Sequence, residues 1–518
     1  MIFYFSFCDI FFLIDACYNK NNLTLYNKEN KQMAKRWMLV IDEYEGVVKN
    51  AVNMLSGYLS GMVSYILPVK YTQDMTEQEY AENNIIAVGK GKTHSILKAY
   101  ETQGLLSVPN AEEGYAIYVG KTPNVDEGQT IAIAGADEKG VLYGCMQFIN
   151  EYCGDVLYKR GYLWGERFFE NALERELTEW RVCEVPAVKT RALWTWGYVI
   201  YDYKGFFENM ARLRLNEVVI WNDRVPFNAK DIVEYAHGLG IKIIWGFAWG
   251  WTNKLTQTVA QICSEEGLKK VKANVLTTYE EQYAKTGGDG IYFQSFTELN
   301  TDTVNGKCIA EIVTEFVNEI AGELLNRYPD LHIQFGLHAT SVKTHLDMIQ
   351  KVDPRIYIVW EDCGAFPYAY LSDNIGNFDE TYALTEELLR LRGKEERFGA
   401  VLKGMLNLDW GTFEHHTDSF ILGERTNAFL VERQIKKDKI WKIVRGGWLK
   451  NAKYMQKTVA LMAEKGKDVL VQALVEDAMF ENKITLPVAI YAQTLWSPNA
   501  PIEEIMEKAS KNPFTDNE

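Results

Sequence analysis

Indoles, carboxylates and amides recur along the second half of this chain, each group placed just after a short apolar run. The strings are Trp194-Thr195-Trp196-Gly197-Tyr198, Trp221-Asn222-Asp223 and Trp245-Gly246-Phe247-Ala248-Trp249-Gly250-Trp251. Further along come Gln294-Ser295-Phe296-Thr297-Glu298, a lone His338, Trp360-Glu361-Asp362 and Asn407-Leu408-Asp409-Trp410. These residue types suit a sugar site. Indoles stack on the apolar faces of pyranose rings, while carboxylates and amides hydrogen-bond the hydroxyls. Two carboxyl groups facing each other across a glycosidic oxygen are the minimal machinery for cleaving it.

Roles can be assigned by surroundings. Glu298 follows the apolar Ile291, Tyr292, Phe293 and Phe296, so desolvation is expected to raise its pKa and make it the general acid. Glu361 or the adjacent polar Asp362 is expected to be the base or nucleophile. The expected sugar contacts are Trp196, Trp221, Asn222, Asp223, Trp249, Trp251, His338, Asp409 and Trp410. His415 and His416 are adjacent in a polar loop without metal-ligand spacing, so neither metal nor cofactor is expected. The competing structural reading makes the carboxylates lysine partners and the tryptophans mere core closure. The agreement of so many strings favours the sugar site.

The positions of these groups follow from the elements before them. Arg191–Trp196, Glu217–Trp221, Ile241–Gly246, Gly290–Phe296, His332–Leu337, Ile356–Trp360 and Gly399–Leu406 read as strands. Helical patterns separate them, among them Tyr203–Leu215, Ala229–Leu239 capped by Gly240, and Ile309–Tyr328. Seven strand–helix units in series predict an α/β fold, a (β/α)8-type TIM barrel with an irregular last unit, since the chain beyond Thr417 reads as helical. An open doubly wound sheet is the alternative, with its site confined to one switch point. In a barrel, the loops after the strands form the active face, and those loops hold every string above.

Residues 33–180 read as a separate small α/β domain, and 185–518 as the barrel with C-terminal helices. Within the first, Trp37–Ile41 and Asn84–Val88 are strands, Tyr115–Val119 and Thr130–Ala134 a hairpin, and Gly140–Tyr152 a helix. Its Gly89-Lys90-Gly91-Lys92-Thr93 string imitates a phosphate loop, but Ile86 and His94 stand where glycines are required, so it reads as a solvated basic turn. Residues 1–32 open on an apolar, aromatic stretch interrupted by Asp9, with no basic residue before it, followed by a polar segment rich in Asn and Lys. They fit neither a secretory signal nor a membrane span and are expected to be a disordered or spurious extension.

Composition narrows the function classes. Among 518 residues, 55 Lys and Arg against 70 Asp and Glu give a net charge of −15, which argues against a nucleic-acid partner. Hydrophobic residues at 47% and charged ones at 24% describe an ordinary globular chain. Eight cysteines without a Cys-X-X-Cys pair are expected to be reduced thiols, and no membrane partner and a cytoplasmic location are expected with them.

Three strings carry a resemblance. Residues 34–180, ending in GADEKGVLYGCMQFINEY, resemble the small α/β domain that precedes the barrel in the beta-hexosaminidase and alpha-glucuronidase families of glycoside hydrolases. NMARLRLNEVVIWND resembles the same superfamily. Tyr491-Ala492-Gln493-Thr494-Leu495-Trp496-Ser497-Pro498, followed by Ile502-Glu503-Glu504-Ile505, is similar to the C-terminal helix of alpha-glucuronidases. The resemblance implies a general-acid Glu after strand four, the position of Glu298, and a base pair of Asp and Glu on later strands, of which the Glu falls on Glu361. It finds His338 where the Asp would stand, and Thr297 in place of the Asp of the hexosaminidase Asp-Glu pair. The expectation is a divergent glycoside hydrolase removing a terminal hexosaminide or uronide from an oligosaccharide. The alternative is a non-catalytic carbohydrate-binding or sensor protein.

Overall fold

In a computed structural model of the chain, the described residues are 35–157, 173, 176–196, 200–222, 224–247, 249, 258–297, 299, 301–338, 341–361, 378–393, 396–405, 418–475 and 479–516. The expected extension 1–32 lies outside them. The first apolar runs become β1 (Trp37–Ile41), β2 (Val69–Tyr71), β3 (Asn84–Lys90), β4 (Tyr115–Lys121) and β5 (Gln129–Gly135). With β6 (Trp180–Glu184) they form one sheet in the order β2-β1-β3-β5-β4-β6. The β4–β5 hairpin is antiparallel, as the turn-rich stretch between them requires. Helix α1 (Gly46–Leu59) and helix α2 (Glu138–Gln147) pack together and cover the sheet with their apolar faces.

Eight later runs, β7 (Thr190–Trp196), β8 (Glu217–Trp221), β9 (Lys242–Gly246), β10 (Gly290–Gln294), β11 (His332–Leu337), β12 (Tyr357–Trp360), β13 (Phe398–Met405) and β14 (Val469–Val475), close a barrel in sequence order. Every neighbouring pair is parallel. These strands are apolar on both faces because one lines the barrel and the other meets helices. The helix Ala229–Gly238 ends as its sequence predicts. Gly240 takes φ +70°, a conformation open to glycine, and the Ile241 amide closes the turn on the Ala236 carbonyl.

The reading of the chain beyond Thr417 as helical is corrected, since it holds the eighth strand. β14, VLVQALV, is buried along its whole length and bridges β13 (Phe398↔Val469) to β7 (Leu470↔Thr190), so an eighth strand closes the barrel, with a register shift between Leu402 and Met405 of β13. It escapes a reading of periodicity because a short apolar run without alternation looks the same in a buried strand and a buried helix. The long helix α8 (Asn427–Lys465) just before it adds to the helical impression.

The six-stranded sheet docks on the lower rim of the barrel through buried charge. The Arg191 guanidinium, at the start of β7 and fully buried, meets Glu113 at 2.6 Å and donates to the carbonyls of Arg214, Val188 and Lys189 at 3.0–3.1 Å. Burial alone would raise the Glu113 carboxyl, but Arg191 and Lys139 outweigh it and hold it down at about 2. Arg214 reaches the Tyr115 hydroxyl (2.7 Å), Glu184 (3.1 Å) and Gln493 (2.8 Å). Both guanidiniums lie over Trp496, 5.0 and 4.3 Å from its ring, and Arg191 also lies over Tyr143. The GADEKGVLYG string and the C-terminal YAQTLW string therefore meet here, as the two halves of a domain clamp. Among the described residues no helix is long and apolar enough to cross a membrane.

Candidate active site

Strand parity decides which side chains enter the barrel, because successive residues of a strand point to opposite faces. Trp194, Val219, Trp221, Tyr292, Tyr357 and Val359 form one cluster inside it. Ile291, Phe293, Phe335, Ile358 and Trp360 pack outside, with the helices. Continuing the inner parity of each strand past its upper end gives Gln294, His338 and Glu361. These three meet.

The Glu361 carboxylate is 1% exposed and accepts from three donors. The Tyr292 hydroxyl donates to Oε1 at 2.5 Å, and the Gln294 amide reaches Oε1 and Oε2 at 2.6 and 2.5 Å. His338 Nε2 lies 2.8 Å from Oε2. The backbone supports this arrangement, since the Glu361 amide donates to the Leu337 carbonyl at 3.0 Å. Gly336 makes room for it: a Cβ there would overlap Glu361 Oε1 and lie 2.5 Å from the Tyr292 hydroxyl oxygen. Only a residue without a side chain fits beneath that carboxylate. Two indoles brace the tyrosine, Trp194 at a ring-centroid distance of 5.6 Å and Trp221 edge-on at 5.7 Å.

The turn after β10 is strained. Phe296 has φ +40°, and the Thr297 amide bonds back to the Ser295 carbonyl two residues earlier, a tight three-residue turn that side chains rarely adopt. It is pinned from the neighbouring loop. The His338 amide donates to Thr297 Oγ1 (3.2 Å), and Ser341 Oγ both accepts from the Leu299 amide and donates to its carbonyl. Such strain persists where surrounding contacts over-determine it, commonly at functional sites.

Asn222, immediately after β8, is 3% exposed, yet neither its Oδ1 nor its Nδ2 has a hydrogen-bond partner among the described residues. A buried amide without partners costs roughly 1–3 kcal/mol per unmade bond.

The expected site residues divide accordingly. Glu361 and His338 are in contact, and Trp221 reaches them through Tyr292. His338 directs its Nε2 to Glu361. Trp196 closes β7, but its side chain lies outside the described residues, as do Asp223, Trp251, Glu298, Asp362, Asp409 and Trp410. The expectation that Trp249 stacks on sugar is corrected: it is fully buried, stacked on Phe293 at 3.5 Å and edge-on to Phe316 of the helix Ile309–Arg327. Its ring belongs to the layer between barrel and helices. Sequence reasoning treated Tyr292 as apolar strand filling and gave Gln294 no role. The signal that finds them is the two-residue step Gly290, Tyr292, Gln294, which shares one face of β10. Among the described residues no group of three or more His, Cys, Asp or Glu could hold a metal ion.

Neither a family sequence model nor a curated protein sequence matches the chain. Solved structures resemble it in shape at low identity. A protein titled CpGH84B is 12% identical with a TM-score of 0.49, over 91% of this chain and 70% of that one. A mutant Streptomyces plicatus beta-hexosaminidase in complex with its product GlcNAc is 10% identical with a TM-score of 0.47, over 93% of each chain. The GH20 beta-N-acetylhexosaminidase of Streptomyces coelicolor A3(2) is 10% identical with a TM-score of 0.46, over 93% of this chain and 87% of that one. The fold assignment itself stands on the closed register of the eight strands.

Proposed function

We propose that this protein is a glycoside hydrolase that removes a terminal sugar, of the hexosaminide or uronide class, from an oligosaccharide. The observation that carries the proposal is the Glu361 carboxylate, fixed at the upper end of a barrel strand by Tyr292, Gln294 and His338, beside two inward-facing tryptophans. Donors from three residues on one carboxylate fix its orientation, the requirement for a base or nucleophile that must meet one carbon or one water. Glu298 is the proposed partner. It would give its proton to the leaving oxygen as the glycosidic bond breaks, while Glu361 takes a proton from the attacking water or attacks the sugar itself. Asp362, beside Glu361 in sequence, is the proposed third carboxyl of the set. The unpaired Asn222 amide would find its partners in sugar hydroxyls, and Trp196, Trp221, Asp223, Trp251, Asp409 and Trp410 complete the proposed contacts.

One observation favours a second reading. His338 stands where the resemblance implies an Asp, and it binds the same Glu361 oxygen that Gln294 engages. A barrel that kept its aromatic site and lost part of its proton machinery would bind sugars without cleaving them. A panel of aryl glycosides, including glucuronides and N-acetylhexosaminides, separates the two. Hydrolysis of any member supports the enzyme, whereas binding without hydrolysis replaces it with the sugar-binding protein.

A further inference from the structure

Helix α8 departs from the electrostatics of the rest of the chain. Its 39 residues carry ten Lys and Arg against three Asp and Glu, a net +7 in a protein of net −15, so the remaining residues together carry −22. The charge is also arranged. At 100° per residue, Val431, Ile435, Lys439, Lys442, Gly446, Lys450, Lys453 and Lys457 fall within a stripe about 100° wide, and all of them are exposed. The opposite face, with Trp448, Met455, Val459 and Met462, is buried against the barrel. Lys442 is paired with Asp438 at 3.0 Å. Lys439, Lys450, Lys453 and Lys457 have no ion-pair partner among the described residues; Lys453 and Lys457 flank the Tyr454 ring, and Lys457 also lies over Phe378. Four uncompensated cations on one line are a standing attraction for a polyanion.

The stripe has a direction. α8 connects the upper end of β13 to the lower end of β14, so it starts at the barrel face that holds Glu361 and runs down the flank. Its first turn lies beside the loop after β7, with Phe429 5.5 Å from Tyr201. The distance from Lys439 to Lys457 is about 27 Å at 1.5 Å per residue. Along it the five lysines stand about 4.5, 12, 4.5 and 6 Å apart, a mean of about 7 Å, far sparser than the phosphates of duplex DNA, at about 1.7 Å per charge. A carboxylated polysaccharide, whose charges are spaced by whole sugar rings, matches that density. The strongly acidic remainder of the protein would repel a denser polyanion.

We propose that the outer face of α8 is a track for a uronic-acid-bearing polysaccharide leading to the Glu361 site. The destination rests on the glycosidase reading; binding along the track does not. The test is the affinity of the full chain for polygalacturonate at 20 and 200 mM salt, with neutral dextran as the control. Wild type and Glu361→Gln should bind polygalacturonate equally, should weaken about tenfold or more at the higher salt, and should ignore dextran. Combined replacement of Lys439, Lys450, Lys453 and Lys457 by Glu should weaken binding at least tenfold at 20 mM salt, and the Gln versions should do so to a lesser degree with an unchanged circular dichroism spectrum. Wild type that does not bind, lysine variants that bind as wild type does, or tighter binding to duplex DNA or phosphatidylserine vesicles would each overturn the proposal. A chain that binds polygalacturonate but cleaves no glycoside would leave the track standing and remove only the glycosidase reading.

Discussion

Replacing Glu113 by Gln tests how the two sheets are held together. The native carboxylate faces Arg191 at 2.6 Å and Lys139 at 3.1 Å, and is held at about 2 against an ordinary value of 4.5. Holding the carboxyl that far down corresponds to about 3 kcal/mol favouring the folded state at neutral pH. The sign follows from linkage: a lowered carboxyl stabilises fully above its unfolded value and loses that contribution as pH falls from 4.5 towards 2. Glu113→Gln keeps the shape but leaves the buried Arg191 facing carbonyls and a neutral amide, a change of similar size, about 3–5 kcal/mol. Urea unfolding at fixed pH values between 7 and 3 gives the difference between variant and wild type. It should be about 3 kcal/mol or more from pH 7 to 5 and should shrink below pH 4.5. A difference under about 1 kcal/mol, or one independent of pH, would refute the reasoning that this pair carries the docking.

Three other substitutions probe the site. Gly336→Ala places a methyl against Glu361 Oε1 and the Tyr292 hydroxyl; displacing the carboxylate should lower kcat about a hundredfold in steady-state assays, while thermal melting shows a cost of about 1–3 kcal/mol. Asn222→Ala removes an amide that has no partner among the described residues, so denaturant unfolding should show stability unchanged or improved, while KM or the sugar dissociation constant rises about tenfold. Trp249→Ala should cost about 3–5 kcal/mol in denaturant unfolding, with sugar affinity per folded molecule unchanged, because its ring packs on Phe293 and Phe316.

Much of the barrel was legible because strands buried on both faces must be continuous apolar runs, and seven of them stand between recognisable helices. Glu361 was legible for the same reason: a carboxylate directly after IYIVW can only sit at a strand end. What surrounds it was not. Tyr292 and Gln294 enter the site through the period of two within β10, and their partner lies two strands away in a register that no local pattern records. His338 was read as a sugar ligand because sequence shows its strand end but not the neighbouring carboxylate that engages its Nε2. Trp249 was read as a rim residue, but the Phe247 and Trp249 amides continue the ladder of β9 onto the Tyr292 and Gln294 carbonyls, which gives the Trp249 ring the outer parity and stacks it on Phe293. Arg191 and Glu113, 78 residues apart, carry no local signal of their pairing.

The central claim is that Glu361 is a catalytic carboxylate of a glycosidase, and its most direct test is kcat/KM for wild type and Glu361→Gln on the aryl glycoside panel. Gln retains the volume and can still meet Tyr292 and His338, but it can neither accept a proton nor attack a sugar. The account predicts that wild type hydrolyses at least one glucuronide or N-acetylhexosaminide and that Glu361→Gln lowers kcat/KM by about 10²–10⁴, with the melting temperature little changed. Wild-type hydrolysis that survives in the variant within about threefold would contradict it, because a group required in the transition state cannot be removed at so small a cost.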